Sequence, residues 1–148
     1  MIYVASYLSG FADGEGCFCV SFNKSARHRF GWDIRPSFSV SQNSDRAQVL
    51  GLYLKTWQCG TIRPDRSDKT LKFEVRAVGD LTSKVIPHFR KYPLLSQKQK
   101  DFEIFAVIVR MLFSKEHLNK AGFYKIVRLR EELNSSGRKR YRQSAIKI

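Results

Sequence analysis

The sequence predicts an α+β fold in which helices and strands follow the order αββαββα. An opening apolar segment precedes two stretches of strand-like alternation, and a helical stretch separates these from a second such pair. A chain of 148 residues with 43% hydrophobic residues can bury one sizeable core but is short for two. We expect a single domain over residues 1–134, with a four-stranded antiparallel sheet backed by helices, and a basic C-terminal tail over residues 135–148.

The first two strands are predicted from regular alternation. Apolar side chains alternate with small or polar ones over residues 17–24, and again over residues 33–41, which is typical of half-buried strands. Pro36 lies inside the second stretch and has no amide to donate to a sheet ladder. We therefore expect a bulge or an unpaired side of the strand at Pro36.

The remaining elements follow from changes of periodicity. Apolar residues at helical spacing predict a helix over residues 45–57, with Asn43 and Ser44 before it as candidate N-caps. Alternation returns over residues 60–66 and 71–77 and predicts a hairpin around residues 67–70. Helical spacing then continues over three segments, which are residues 81–89, 97–113 and 121–133.

The charge balance indicates a polyanionic partner. Lysine and arginine number 27 against 13 aspartate and glutamate, and the net charge is +14, so nucleic acid is the first such partner to consider. A ribosome-associated RNA-binding protein or a membrane-surface protein would have a similar balance. The last eleven residues contain five of these cations and no acid, which predicts either a flexible phosphate-binding arm or a solvated tail.

Other classes of protein are disfavoured by the composition. No apolar run approaches the roughly 18 residues of a membrane span, and no signal peptide begins the chain, so we expect an intracellular protein without a membrane partner. Cys17, Cys19 and Cys59 have neither metal-site spacing nor a pairing pattern. We expect all three to be reduced thiols.

The polar face of the predicted sheet mixes cations with hydrogen-bonding groups. Such side chains meet base edges in the major groove of DNA, where a two-stranded ribbon fits. An ordinary solvated sheet face is the alternative explanation. The candidate DNA-binding residues are Cys19, Ser21, Asn23, Lys24, Asp33, Arg35, Ser37, Ser39, Arg63, Arg66, Lys72, Glu74 and Arg76.

The opening helix ends on two acids, Asp13 and Glu15. The C-terminal end of a helix carries partial negative charge, so acids there are unfavourable unless a cation compensates them. A divalent metal would do so, and Gly14 lets a backbone carbonyl face the same ion. Ser6, Gly10 and Gly14 also form a stripe of small residues at i, i+4 and i+8, which would let a second copy of the helix approach closely.

At these residues the sequence resembles the LAGLIDADG homing endonucleases, because LSGFADGEG at residues 8–16 fits their nine-residue signature. The resemblance continues through the order of elements, through Val40-Ser41-Gln42 followed by Arg46, and through YPLLSQK at residues 92–98 before an aromatic-rich helix. It covers residues 3–113. It implies the fold of that family and a site-specific, intron-encoded double-strand DNA endonuclease. An intron maturase that assists RNA splicing, or a non-cleaving DNA-binding protein of the same fold, is the alternative.

The resemblance also implies a metal site at the acidic helix end. Glu15 matches the acidic metal ligand and Gly14 offers its carbonyl, while Asp13 supports the helix ends. The implied cofactor is Mg²⁺, with about two or three ions per dimer active centre, and Mn²⁺ can substitute for it.

The other implied catalytic residues lie outside the motif. Gln42 matches a residue that helps to orient water, and Arg46 and Lys98 match basic residues near the scissile phosphates. If the register shifts, Ser96 or Lys100 takes the place of Lys98.

Only one copy of the motif is visible in the sequence, so one chain supplies half a site. The resemblance implies a homodimer on a near-palindromic duplex of roughly 20 base pairs. It also implies an organelle (mitochondrion or chloroplast) or a bacterial or archaeal cytoplasm as the location. The candidate dimer-interface residues are Ser6, Ser9, Gly10 and Asp13.

Overall fold

One four-stranded antiparallel sheet organises the protein, and it confirms the α+β class. The computed structural model describes residues 3–66, 69–134, 139 and 141–148. Within them the strands lie in the order β1-β2-β4-β3. Their bounds are β1 Gly16–Lys24, β2 Trp32–Asn43, β3 Thr61–Pro64 and β4 Thr70–Val75.

Helices occupy one face of this sheet and confirm the predicted order. The bounds of the helices are α1 Val4–Glu15, α2 Gln48–Trp57, α3 Val78–Asp80, α4 Ile86–Lys91, α5 Lys98–Phe113 and α6 Lys120–Glu132. A π-helical turn, Leu81–Val85, joins α3 to α4. In the part of the chain that the structure describes, no helix has the length and apolar character needed to cross a membrane.

The core forms where the inner face of the sheet meets the helices. Phe18 of β1 is fully buried, and its ring lies 5.2–5.6 Å from the rings of Phe38, Phe89, Phe102 and Phe105. Full burial of one phenylalanine contributes about 1.5–3 kcal/mol. This cluster therefore binds two strands, α4 and α5 into a single packed unit.

Pro36 causes no bulge but does have an unpaired side. The pairing of β1 with β2 runs without interruption through Val20 opposite Pro36. Pairing of β2 with β4 ends at Phe38 opposite Val75, so Pro36 has a partner only in β1. The missing amide is thus tolerated because the strand needs just one neighbour there.

The helix after β2 starts later than the sequence predicted. Asn43 still belongs to β2 and lies opposite Thr70, and its side chain makes no capping hydrogen bond. A 3₁₀ turn, Ser44–Arg46, follows before α2 begins at Gln48. The N-cap prediction for Asn43 and Ser44 is therefore wrong, because the sheet extends to Asn43.

The outer edge of strand β1 is covered by side chains. Three alternate carbonyls along this edge each accept a hydrogen bond from a helical or post-helical residue. The pairs are Gly16 with Lys98 Nζ (2.6 Å), Phe18 with Asn134 Nδ2 (2.5 Å) and Val20 with Arg130 Nε (3.2 Å). Capped carbonyls cannot pair with another strand, so this edge is protected from edge-to-edge association.

The described part of the C-terminal tail packs against the domain. The ring of Tyr141 lies 5.0 Å from that of Trp32, Trp32 Nε1 donates to the carbonyl of Lys147 at 3.2 Å, and Ile146 is buried. The prediction of a flexible arm or solvated tail is wrong at Tyr141 and Ile146, whose apolar side chains pack against the domain, whereas residues 142–145, 147 and 148 are exposed as in a solvated tail. Arg138 and Arg140 lie outside the described residues.

A side-chain N-cap is present at α6, whereas the sequence predicted one at α2. We expect removal of the α6 N-cap to lower stability measurably. Asn119 Oδ1 accepts a hydrogen bond from the Gly122 amide at 2.7 Å. Asn119→Ala should lower the free energy of unfolding by about 1 kcal/mol, measured by urea denaturation. Asn43→Ala is the matched control and should change it by less than about 0.5 kcal/mol. Equal losses in both variants would contradict this assignment.

Candidate active site and nucleic-acid interface

The first acid of the motif, Asp13, holds the segment before α5. Its carboxylate accepts hydrogen bonds from the amides of Leu95 (2.9 Å) and Ser96 (3.1 Å) and from the Ser96 hydroxyl. Partial burial opposes ionisation, but these hydrogen bonds and the charge of Lys98 outweigh it, so the pKa of Asp13 lies below its usual 3.8. Asp13 is therefore an ionised structural group near neutral pH.

Lys98 makes the reciprocal contact from α5 to α1. Its Nζ donates to the carbonyls of Ala12 (3.1 Å) and Gly16 (2.6 Å), which places a cation at the negative end of the α1 dipole. A Cβ on Gly16 would lie only 2.8 Å from the Ala12 oxygen, so glycine permits this tight junction. Lys98 thus compensates the acidic helix end that the sequence analysis singled out.

The second acid, Glu15, and its neighbour Gly14 are both exposed on the last turn of α1. The last carbonyls of a helix have no intrahelical partner, so a carboxylate and backbone carbonyls occur together here. Oxygen ligands of this kind fit Mg²⁺. Among the described residues, however, no cluster of three or more His, Cys, Asp or Glu side chains could hold a metal.

The other predicted catalytic residues lie in a groove between α1 and α2. Gln42 and Arg46 line this groove of about 490 Å³ with Tyr7 and Phe11. Gln42 Oε1 accepts from the Asn43 amide at 2.9 Å, while the Arg46 side chain is 66% exposed and pairs with Asp45 at 3.5 Å. Glu15 follows Phe11 by four residues and so lies one turn further along the same side of α1.

The two alternatives to Lys98 have different surroundings. The Ser96 hydroxyl donates to Asp13 and also accepts from the Lys98 amide at 3.1 Å. Lys100 is exposed on the first turn of α5. Ser96 therefore belongs to the junction between α1 and α5.

The outer face of α1 carries small and apolar residues that are exposed. Gly10 and Ser6 are exposed, Tyr3 and Tyr7 are 70% and 48% exposed, and Leu95 of the neighbouring loop is 93% exposed. Exposed apolar side chains in one contiguous area mark interaction surfaces.

Two other predicted interface residues, Ser9 and Asp13, make hydrogen bonds within their own protomer. Ser9 is 3% exposed, donates to the Tyr92 carbonyl at 2.6 Å and lies 3.2 Å from His88 Nε2. Burial lowers the pKa of His88 to about 4. The interface prediction for Ser9 stays a prediction, although its hydroxyl is already bound within its own protomer at the end of α4. Asp13 is bound within its own protomer as described above.

The outer face of the sheet forms a concavity of about 330 Å³. Most of the predicted DNA-binding residues line it, while Asn23, Lys24, Asp33 and Arg66 lie beyond it. Cys17 and Pro36 were missed, although Cys17 alternates in step with Cys19 and the period-two pattern would have found it. The lining residues are Cys17, Cys19, Ser21, Arg35, Pro36, Ser37, Ser39, Arg63, Lys72, Glu74 and Arg76.

Carboxylates on this face are paired with its cations. Two of the pairs join residues on the same or adjacent strands, and the third joins β4 to Asp65, the residue after β3. The pairs are Arg35 with Asp33 (2.6 Å), Arg63 with Glu74 (3.1 Å) and Lys72 with Asp65 (3.5 Å). Asp65, which also accepts from the Ser41 hydroxyl at 3.0 Å, was not predicted as part of this surface.

The thiols on the concave face are neutral near pH 7. Cys17 and Cys19 form no disulfide, and burial raises the pKa of both thiols. They therefore present weakly polar groups between the charged side chains.

Comparison with known proteins identifies the family. The LAGLIDADG endonuclease family model matches residues 8–109. Over 130 residues the chain is 33% identical to "Probable intron-encoded endonuclease 2" of Neurospora crassa, which is 87% of this chain but 29% of that relative. The chain belongs to the LAGLIDADG endonuclease family. It spans less than a third of that curated relative's length.

Solved structures show the same fold. The homing endonuclease I-TnaI superposes with a TM-score of 0.85 at 33% identity, over 93% of this chain and 92% of that one. The LAGLIDADG homing endonuclease I-LtrWI, solved bound to target DNA, gives a TM-score of 0.85 at 37% identity, over 89% of this chain and 45% of that one.

The Asp13 contacts predict a pH-dependent contribution to stability. Because the pKa of Asp13 is lowered in the folded state, its ionised form stabilises the fold above about pH 4, and this stabilisation is lost as the pH falls through the lowered pKa. Asp13→Asn should therefore reduce the free energy of unfolding by about 1 kcal/mol near pH 7, and by less near pH 3. Urea unfolding curves at both pH values test this, with the exposed Asp45→Asn as control. A loss that does not depend on pH would contradict it.

Proposed function

We propose that the protein is an intron-encoded homing endonuclease that cuts both strands of a specific DNA site as a homodimer with a divalent metal. The observation that carries this proposal is the position of Glu15. Only Gly16 separates this exposed acid from Cys17, which lines the cationic concavity of the sheet. A metal-binding group therefore adjoins a surface suited to DNA. We place the enzyme in an organelle or in a bacterial or archaeal cytoplasm.

The reaction is hydrolysis of a phosphodiester bond. Water attacks phosphorus, the bond from phosphorus to the 3′ oxygen breaks, and the products carry a 5′ phosphate and a 3′ hydroxyl. Glu15 and the Gly14 carbonyl would hold Mg²⁺, or Mn²⁺ in its place, and the bound ion would lower the pKa of its water and stabilise developing charge. Gln42 orients the water, and Arg46 offsets the negative charge of the phosphate.

In this scheme Lys98 acts by holding the end of α1. Its amine binds the carbonyls of Ala12 and Gly16 on either side of Glu15, so it fixes the backbone from which the Glu15 side chain projects. Asp13 fixes the same junction from the opposite direction through Ser96. Both residues support the geometry of the metal-binding acid.

A second copy of the chain would complete the site. One protomer offers an incomplete metal-ligand set, and the exposed face of α1 provides small residues for close helix contact, with Leu95 and Tyr7 beside it. Two-fold pairing of this face would bring both Glu15 residues together and align two sheets on one near-palindromic duplex. Two copies of this chain also approach the length of the I-LtrWI chain, of which this chain covers 45%.

Glu15→Gln should separate cutting from binding. The substitution keeps the shape of the side chain and removes the charge that holds the metal, so cleavage should fall by at least about a hundredfold while duplex binding persists. Replacing Mg²⁺ with Ca²⁺ in the wild-type protein should have the same effect, because Ca²⁺ accepts looser geometry. Cleavage and gel-shift assays on a duplex selected from a near-palindromic library measure both quantities.

The exposed Glu132→Gln serves as the charge-matched control for this experiment. Full cleavage by Glu15→Gln would remove Glu15 from the active site. Binding of structured intron RNA in preference to every duplex would instead favour the maturase alternative.

Gly10→Leu should abolish dimerisation and cleavage together. Within the described part of the protomer, a Cβ on Gly10 would meet no atom within 4 Å, so the monomer should fold normally while the two α1 helices are forced apart. Sedimentation velocity and circular dichroism measure assembly and folding. Gly79→Leu, at another open and exposed glycine, should leave the dimer intact. An active Gly10→Leu dimer would place the interface elsewhere.

A further inference from the structure

Glu74 lies in the middle of the sheet's outer face, beneath two arginines. It belongs to β4, opposite Ser39 of β2 and Thr61 of β3. The Glu74 side chain is only 11% exposed, whereas those of Arg63 and Arg76 are 50% and 55% exposed. The carboxylate therefore lies at the floor of the concavity while the guanidinium groups stand at its surface.

One carboxylate oxygen of Glu74 serves both arginines. Arg63 Nη2 lies 3.1 Å from Glu74 Oε1 and donates to it, and Arg76 Nε lies 4.0 Å from the same atom. Two guanidinium groups against one carboxylate leave the trio a net positive charge. Glu74 thus hydrogen-bonds Arg63 and lies at ion-pair distance from Arg76, and the trio keeps a positive charge that attracts DNA.

We propose that Glu74 is a positioning residue that sets base preference by orienting Arg63 and Arg76 toward guanine edges. This inference rests on the proposed DNA-cleaving function. An arginine has five N–H donors, so one that pairs with Glu74 through a single nitrogen retains enough donors for a bidentate contact to guanine O6 and N7. A long side chain held before binding loses less conformational freedom on contact.

Two other roles for Glu74 make different predictions. If Glu74 itself accepted a hydrogen bond from a cytosine amino group, it would read a base pair of its own. If it only repelled phosphates, its removal would strengthen binding to all sequences equally. A positioning role instead makes its effect depend on the presence of the arginines.

The test measures base preference with the full chain on every single-base variant of its selected duplex, with Ca²⁺ so that no cutting occurs. Arg63→Ala and Arg76→Ala first locate the base pairs that these arginines read. Glu74→Gln should reduce discrimination at those base pairs by about tenfold and leave affinity for unrelated duplex equal or slightly higher. In the double variant of Glu74→Gln with Arg63→Ala, discrimination at the Arg63 base pair should be no weaker than in Arg63→Ala alone.

Asp65→Asn is the matched control, because it removes one negative charge from the same face at a residue that pairs with Lys72. It should preserve discrimination at the base pairs read by Arg63 and Arg76. Glu74→Asp provides a second variant that keeps the charge but shortens its reach, and it should also weaken discrimination there. Urea unfolding of each variant checks that it folds. If Glu74→Gln does not fold, discrimination is measured with Glu74→Asp instead.

Two results would overturn the proposal. If Glu74→Gln strengthened binding to all duplexes equally and left base preference unchanged, the only role of Glu74 would be electrostatic repulsion of phosphates. If the two substitutions reduced discrimination additively in the double variant, or if Glu74→Gln reduced it at a separate base pair, Glu74 would contact a base directly. A wild-type protein that prefers no duplex would overturn the proposed function itself, which keeps the two failures distinguishable.

Discussion

The structure depends on the mutual hydrogen bonding between the end of α1 and the start of α5. Asp13 binds the backbone before α5, and Lys98 binds the backbone around the end of α1. Asp13 accepts from two backbone amides and Lys98 donates to two backbone carbonyls, so the two contacts support each other across more than 80 residues of sequence. The exposed Glu15 lies between them, so hydrogen bonds at Ala12, Asp13 and Gly16 hold the backbone on both sides of it.

This junction also explains why two acids can end a helix in a protein with a net charge of +14. Only Glu15 remains available to a ligand, because the carboxylate of Asp13 is already surrounded by donors. Hydrogen bonding thus makes Asp13 a structural group, while Glu15 stays exposed. The sheet has a similar arrangement, because the carboxylate of Glu74 is largely buried while the guanidinium groups of Arg63 and Arg76 are exposed.

The period of the sequence predicted β1, β2 and β4 well because each of these strands has one face with buried residues, whereas all four residues of β3 are exposed. Phe18, Val20 and Phe22 alternate with polar residues, and burial of that one face fixes the register. Side-chain partners were harder to predict. Lys98 contacts Ala12 and Gly16 from a distant element, and no local pattern encodes such a contact.

The features that the sequence did not predict have the same origin. Ser9 and Ser6 are both small and lie on the same helix, yet only the tertiary packing of α4 decides that Ser9 is buried against Tyr92. Asn43 resembles an N-cap in sequence, but its pairing with Thr70 keeps it in the sheet. The charge of the C-terminal tail alone predicted a solvated segment, whereas Ile146 belongs to the hydrophobic core and Tyr141 packs against it.

The covered edge of β1 leaves the outward side chains of that strand free to vary. Because the capping groups on that edge come from α5, α6 and the residue Asn134, the outward side chains of the strand take no part in protecting it. Substitutions among Cys17, Cys19 and Ser21 can alter the chemistry of the concave face without opening the sheet to a neighbouring chain. The fold thus keeps the residues that cover the sheet edge separate from those that line its concave face, so the chemistry of that face can change while the scaffold stays the same.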